Sequence, residues 1–512
     1  MADIDPSSCI DDMRRPKLPF KEPATAADIQ NLIAAIATLE KRDRAQPQSN
    51  SSARDTTDVP PLSSTARVPR RLTKVLDSLA GLLVSNADNE VIATALRVGP
   101  ISQKITVMIS SNTTIPPATC EHASWIWGAL REISVRYHKL YPRESSPTHE
   151  IEDQEFLDQL SEFRYKCFRF NFAKIQKRVN DEFPLFEKLD LTDLNENHPL
   201  RQFSKAIFAL ERYFTRNEGA VYGKPDENNT KAWNLMKIWF RICQTGVQYI
   251  SKNGLTPEER LRLSAFPRWG SYFKKITYAM DQVDDILRVS MSQQCRHFFQ
   301  YKFNLHPVPA TMSKAHTVPQ SSKDWEDVLE RALSRRNGSR LGHNYNEPEL
   351  KLLKMPTITK DSAYLCQEQI GNDLATHCEV QLLLHIARLE SEKPSLAKAY
   401  PYLAVSKPSC YGCHLFILAY NRTHETHFMT RGTHGKFSWP WQFPMNFPKH
   451  EVTAARMYAI LANIWGGHYN GYETERKEPS QDLLTFWDAT GPAHFTRRGD
   501  PDVLAQLLDS VS

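Results

Sequence analysis

Thr376-His377-Cys378-Glu379-Val380-Gln381-Leu382-Leu383 and Ser406-Lys407-Pro408-Ser409-Cys410-Tyr411-Gly412-Cys413 are the stretches on which the reading of this chain turns. They reduce to H-x-E followed by P-x-C-x-x-C. Cys410 and Cys413 stand three apart, so at a helix start they share one face and can grip one ion. Pro408 suits a strand-to-helix break, because it neither donates to a ladder nor continues a preceding helix. The positive end of a helix favours thiolates, the form of cysteine that binds metal. His377 falls at or just before the first turn of an expected helix and Glu379 inside it, so the two project differently. A catalytic zinc takes protein ligands and keeps one position open. His377, Cys410 and Cys413 supply the ligands, which leaves Glu379 to handle protons.

Structural readings compete with this one. A Cys-x-x-Cys alone is common and often structural. A finger-like set of Cys410, Cys413, His424 and His427 would leave ten residues between the pairs and two between the histidines. Both spacings are shorter than usual for a finger, and Leu415 to Leu418 are needed as core. His377 and Glu379 on their own amount to a polar helix start. The joint pattern, with a strand before Cys410 and a helix after each motif, favours a catalytic metal site.

Working outward, His377 to Leu389, Cys410 to Tyr420 and Val452 to Ile464 have helical spacing. Tyr402 to Ser406 is a short buried strand, and Thr426 to Thr430 another. Far upstream, the helical pattern Leu72 to Ser85 precedes a hairpin. Its strands are Glu90 to Val98 and Gln103 to Ser110, joined by Gly99-Pro100-Ile101-Ser102. Between these α/β regions the texture is long amphipathic helices: Trp125 to Tyr141, Glu155 to Ile175, Phe203 to Phe214, Lys231 to Ile250 and Ile276 to Val289. A further helix begins at Ser322, a candidate N-cap. Ala26 to Arg42 is also helical. Asp43 to Thr65 is polar and Pro-rich and reads as a disordered linker. The cluster Arg67, Arg70, Arg71 and Lys74 reads as a solvated face.

At its metal motifs the sequence resembles the nucleic-acid and nucleotide deaminase superfamily, whose fold cytidine deaminases and tRNA adenosine deaminases share. More narrowly it resembles a group of fungal proteins related to predicted bacterial deaminase toxins. The likeness rests on His377, Glu379, Gln381-Leu382-Leu383, Ser406-Lys407, Cys410, Cys413, Arg431-Gly432-Thr433-His434-Gly435-Lys436, Trp439, Trp441 and Pro444, within roughly the last third of the chain. It implies a three-layer α/β/α cytidine-deaminase-like fold, one Zn2+ per chain and hydrolytic deamination of a cytosine or adenine base. In that superfamily a helix and a strand pair lead into the H-x-E helix, and an Asn ending the second strand often contacts the sugar.

The domain reading follows. Residues 1–66 form a partly disordered N-terminal region. Residues 70–115 give the first helix and β-hairpin of a split deaminase fold, and 360–470 its core with the zinc motifs. Residues 116–359 are a large, mainly α-helical insertion, and 471–512 a tail. Candidate substrate contacts are Asn112 for a ribose, His434 in its Gly-flanked turn, and Trp439 for stacking on a base. Trp441 reads first as packing. His385 and His414 read as core or supporting residues, and Cys378 should point away from the ion.

Composition narrows the setting. The chain has 512 residues, a formal charge of +5 and nine cysteines without framework spacing. That excludes a disulfide-stapled secreted domain. No signal peptide and no apolar run of membrane-spanning length is present in the sequence. The expectation is a cytoplasmic or nuclear protein acting on a nucleotide, a nucleoside or a single-stranded nucleic acid. The charge permits such a polyanion without demanding it. The helical insertion is a candidate surface for a protein partner. The competing class is a binding protein that uses a zinc-stabilised deaminase fold without turnover.

Overall fold

The sheet begins from the two runs richest in β-branched and apolar residues. The computed structural model describes residues 25–45, 70–86, 90–142, 153–189, 191–216, 256–259, 269–314, 319, 321–337, 373–438 and 441–470. Helix α1 (Ala26–Ala45) opens with Thr25 and Asp28 capping each other. Helix α2 (Arg70–Leu82) leads into strands β1 (Ile92–Gly99) and β2 (Lys104–Ser111). Helices α3 (Pro117–Leu140), α4 (Gln154–Phe170), α5 (Phe172–Phe186), α6 (Pro199–Arg216) and α7 (Trp269–Ser290) follow. Then come β3 (Lys302–Pro307), β4 (Met312–Lys314), α8 (Ser322–Asn337) and β5 (Asp373–Ala375). The C-terminal part holds α9 (Cys378–Glu392), β6 (Tyr402–Val405), α10 (Tyr411–His424), β7 (Met429–Thr430) and α11 (His450–Asn470).

The main sheet has the order β3-β2-β1-β6-β7. Strand β1 is antiparallel to β2 on one side and to β6 on the other, with Ala93 opposite Val405 and Thr94 opposite Ala404. The junction is sealed where Ile92 N–H donates to Ser406 Oγ (3.0 Å) and Ser406 N–H donates to the Ile92 carbonyl (2.9 Å). Outer strands β3 and β7 run parallel to their neighbours.

Strand alternation builds three layers. Ala93, Ala95 and Met108 face a core with α9, α10, α11, α1 and α8. Ile92, Leu96, Ile105, Val107 and Ile109 face a second core with α2, α3, α4 and α7. The small alanines let α9 lie close to the sheet. Beyond the second layer, α5 and α6 pack on the near end of α7 through Ile175, Val179, Phe203 and Ile276. The fold is therefore α/β, with helices on both faces of one sheet. No helix among the described residues is long and apolar enough to cross a membrane.

The structure corrects several local expectations. Segment 116–359, mainly helical among its described residues, also contributes strands: β3 extends the main sheet, and β4 pairs with β5 beside the metal motifs. Its helices α3, α4 and α7 join α2 in the second layer. The expected helix Glu155 to Ile175 is two helices. The chain turns at Asn171, whose side-chain amide donates to the Leu82 carbonyl at 2.7 Å. Lys174 Nζ donates to the Gly81 carbonyl, also at 2.7 Å, so the pair satisfies orphan carbonyls at the end of α2. Ser321, not Ser322, caps α8, exchanging hydrogen bonds with Asp324. Strand β7 is shorter than the expected Thr426 to Thr430. Lys74 of the basic cluster meets Asp285 at 2.8 Å. Arg67, most of the linker, the helix 231–250, Trp439 and the tail 471–512 lie outside the described residues.

Candidate metal centre

Two helix N-termini converge at the end of the sheet where β6 finishes. His377 is the N-cap residue of α9 and Cys410 the N-cap residue of α10. Extended backbone at both caps turns their side chains out of the helices and toward each other. His377 Nδ1 lies 3.4 Å from Cys410 Sγ and 3.3 Å from Cys413 Sγ, and the two sulfurs are 3.4 Å apart. These atoms form a compact triangle able to hold a metal ion. Tetrahedral zinc with its ligands at about 2.0–2.3 Å sets neighbouring donors roughly 3.5–3.8 Å apart. The observed triangle fits that requirement within a small adjustment, and its one nitrogen and two sulfurs are a zinc-type donor set.

The thiols divide their charge. Burial opposes ionisation of Cys410, but hydrogen bonding to Cys413 and the charge of His377 hold it well below the usual thiol range. Burial, then the hydrogen bond and charge of Cys410, pushes Cys413 up. Glu379 is 3% exposed, and its charge is close enough to raise Cys413 further. The Cys378 thiol donates to Glu379 Oε2 at 3.4 Å. Cys378 is therefore not a ligand; it lies in the core, and burial and Glu379 raise its pKa well above normal.

The sheet fixes both helix starts. Asn112, just past β2, accepts the Cys378 N–H through Oδ1 at 2.8 Å across 266 positions of chain. This supplies from outside the cap that His377 does not provide. Gln381 ties α9 down one turn later. Its amide donates to the Thr376 carbonyl and accepts from Thr311 N–H at 3.2 Å. Loop 406–410 is zipped to loop 431–436: Ser409 N–H donates to the Gly432 carbonyl (3.0 Å) and Tyr411 N–H to that of Lys436 (2.8 Å). Gly432 and Gly435 have φ of +127° and +70°, which side chains at those positions would resist.

Asn112 and His434 therefore both reach the site, while Trp439 lies outside the described residues. Asn112 spends its acceptor on the helix, a role its place after a strand does not reveal. His434 is half-buried; burial lowers its pKa against the opposing charges of Cys410 and Glu379. Its Nδ1 accepts from Lys436 N–H at 3.2 Å, so the neutral ring carries its proton on Nε2. Trp441 is fully buried and more than packing: its indole N–H donates to Cys413 Sγ at 3.2 Å. Gly412 makes room, since a Cβ there would lie 3.2 Å from the Trp441 ring. His385 pairs with His306 (Nε2 to Nε2, 2.8 Å), and His414 stacks on Tyr411. His424 sits at the far end of α10 against Tyr420, which removes the finger-like alternative.

A family model described as OTT_1508-like deaminase matches residues 376–445, the segment that carries His377, Glu379, Cys410, Cys413 and Trp441. No curated protein and no solved structure matches the chain.

Proposed function

We propose that the chain catalyses zinc-dependent hydrolytic deamination of a cytosine or adenine base in a nucleoside, nucleotide or nucleic acid. One observation carries the reading: His377 Nδ1, Cys410 Sγ and Cys413 Sγ meet within 3.4 Å of one another beside the buried carboxylate of Glu379. A purely structural ion has no use for that acid. Zinc held by the three donors supplies Lewis-acid chemistry to the hydrolysis. Glu379 takes one proton from the attacking water and delivers it to the ring nitrogen, then takes the proton of the newly added hydroxyl and delivers it to the amino group, which leaves as ammonia. Trp441 and Asn112 orient the donors. In this reading the Asn112 amide NH2 meets a sugar hydroxyl and His434 Nε2–H a polar atom of the substrate, and Trp439, outside the described residues, stacks on the base.

In this reading residues 70–115 and 360–470 are halves of one deaminase fold, a division supported by the β1–β6 pairing. Kinship with the fungal group related to bacterial deaminase toxins rests on the Gln381-Leu382-Leu383 and Arg431 to Lys436 motifs. A cytosolic or nuclear setting suits Cys120, Cys167, Cys295, Cys378, Cys410 and Cys413, which form no disulfide.

The test is ammonia release by zinc-loaded protein from a panel of nucleosides, nucleotides, single-stranded DNA and RNA. Release is expected from the parent and not from Glu379→Ala. Release that survives Glu379→Ala defeats the mechanism. Silence on every substrate replaces the enzyme with a zinc-stabilised binding protein.

A further inference from the structure

Cys378 and Glu379 are the first two residues of α9, and side chains one position apart on a helix do not face each other. Yet Cys378 Sγ lies 3.4 Å from Glu379 Oε2, so the side chain of the acid is folded back toward its neighbour. The proton of this contact sits on sulfur. A thiolate at that distance would repel the carboxylate, whereas an S–H group meets it as a donor. Among the described residues this thiol is the hydrogen-bond donor that the carboxylate receives, and Oε1 accepts nothing from them. Oε1 is nevertheless not sealed in the core, so one oxygen is held and the other faces open space. The charge of the carboxylate reaches both Cys413 and His434, so the acid lies at the metal centre rather than away from it.

Cys378 can hold the acid because it is itself held. It is 0% exposed, in the core on the α9 face of the sheet. Its backbone N–H donates to Asn112 Oδ1 at 2.8 Å, which ties it to the end of β2. A line of hydrogen bonds therefore runs from the sheet through Asn112 and Cys378 to the acid. The terminal torsion of a glutamate is broad, so without a donor the carboxylate would swing among several orientations. A thiol is a weak donor, which orients the carboxylate and leaves its lone pairs able to take a proton.

We propose that Cys378 is a positioning residue: its S–H holds Glu379 Oε2 and so presents Oε1 to the attacking water. The proposal deepens the deaminase reading and rests on it, whereas the thiol–carboxylate bond stands apart from it. A residue that merely packed here would need only a small side chain, and serine and alanine, of nearly equal size, would serve alike. A positioning role separates them, because only serine brings a donor.

Full-length, zinc-loaded protein is compared with Cys378→Ala and Cys378→Ser on the substrate of the panel that releases ammonia. Alanine is expected to lower kcat about tenfold or more with KM held within about twofold, since a misplaced catalytic group costs turnover before it costs binding. Serine is expected to recover most of that loss, at equal zinc content. The second readout needs no substrate. The S–H stretching band of Cys378, isolated by subtracting the infrared spectrum of Cys378→Ala, should move to higher frequency in Glu379→Gln, because an amide oxygen is a weaker acceptor than a carboxylate. Should alanine fail to fold, Cys378→Val, close in volume to cysteine and without a donor, takes its place in both arms. Serine no better than alanine, or an S–H band indifferent to Glu379→Gln, overturns the proposal. A band that shifts, with no ammonia from any substrate in the parent, fails the deaminase reading instead: the bond stands and its catalytic use falls.

Discussion

Trp441→Phe isolates one hydrogen bond to the metal site. The parent indole N–H donates to Cys413 Sγ at 3.2 Å, with both side chains fully buried. The phenyl ring keeps an aromatic surface against Gly412 and Phe443 and removes the donor. A hydrogen bond to a charged group contributes about 1.5–3 kcal/mol, twice or more the worth of one between neutral groups. The Cys413 sulfur carries far more charge when it ligates an ion than when it is a protonated thiol. The loss should therefore fall mainly on the zinc-bound state. At about 1.4 kcal/mol per tenfold, zinc affinity drops roughly 10- to 100-fold. The smaller ring also leaves a void, but that cost falls on the metal-free and zinc-loaded protein alike. The assay is competition for zinc against a chromophoric chelator, with thermal midpoints of the metal-free proteins measured in parallel. Gly412→Ala is the companion, because its Cβ at 3.2 Å pushes the Trp441 ring while leaving the N–H in place. It should weaken zinc binding in the same direction. Zinc affinity of Trp441→Phe within twofold of the parent would refute the reasoning.

Other changes probe separate links. Glu379→Gln keeps the shape of the side chain and removes the proton carrier; zinc content should hold while ammonia release falls by at least a hundredfold, measured in single-turnover assays. Asn112→Ala uncaps α9 and should lower stability to chemical denaturation by about 1 kcal/mol, while Asn112→Asp, which retains an acceptor, recovers most of it. An alanine variant as stable as the parent would remove the capping role. His122 is stacked on Phe170 with ring centroids 3.8 Å apart, and burial lowers its pKa from 6.5 to about 3. It stays neutral in the fold while the unfolded chain takes up a proton near pH 6.5. Its contribution is whole above that pH and is lost as pH falls toward about 3, with a slope of up to about 1.4 kcal/mol per pH unit. His122→Phe should flatten that acid limb in melting curves taken across the range, and an unchanged limb would assign the acid loss to other groups.

The cluster of His377, Cys410 and Cys413 is legible in the sequence because its chemistry is local. The C-x-x-C spacing, Pro408 and the helix start at His377 each leave a mark within a few residues. The central hairpin was legible for the same reason, through β-branched residues and a Gly-Pro break. What surrounds the ligands was not, because those contacts join distant positions. Nothing near Asn112 signals Cys378, and nothing near Trp441 signals which sulfur its N–H will meet. Strand β3 leaves a weaker mark because Lys302-Phe303-Asn304-Leu305-His306-Pro307 alternates only two apolar residues, Phe303 and Leu305, and ends in proline; its pairing to β2 and the packing of those two side chains make it an edge strand. The break at Asn171 leaves no mark in the sequence, because the amphipathic pattern runs on through it and the carbonyl end of α2 that Asn171 meets is remote in the chain.

The long connection between the hairpin and the metal motifs explains how so short a strand as β6 can hold the centre. Lengthening a loop is cheap, about 0.6 kcal/mol for each doubling, so the separation alone does not forbid the pairing. Burial decides it. The connection returns Ile126, Phe163 and Ile286 to cover Leu96, Val107 and Ile109, and each such side chain buried contributes about 1.5–3 kcal/mol. That second layer fixes β1, and β1 in turn gives the four-residue β6 its main partner. Strand β7, two residues long, could not do so alone. Without β1, β6 would be an unpaired edge between a buried core and solvent. Cys410 would then lose the strand that leads into it and keep only its seat at the start of α10 and the 431–436 zipper among the contacts described. The placement of the two sulfurs thus depends on helices far from them in sequence.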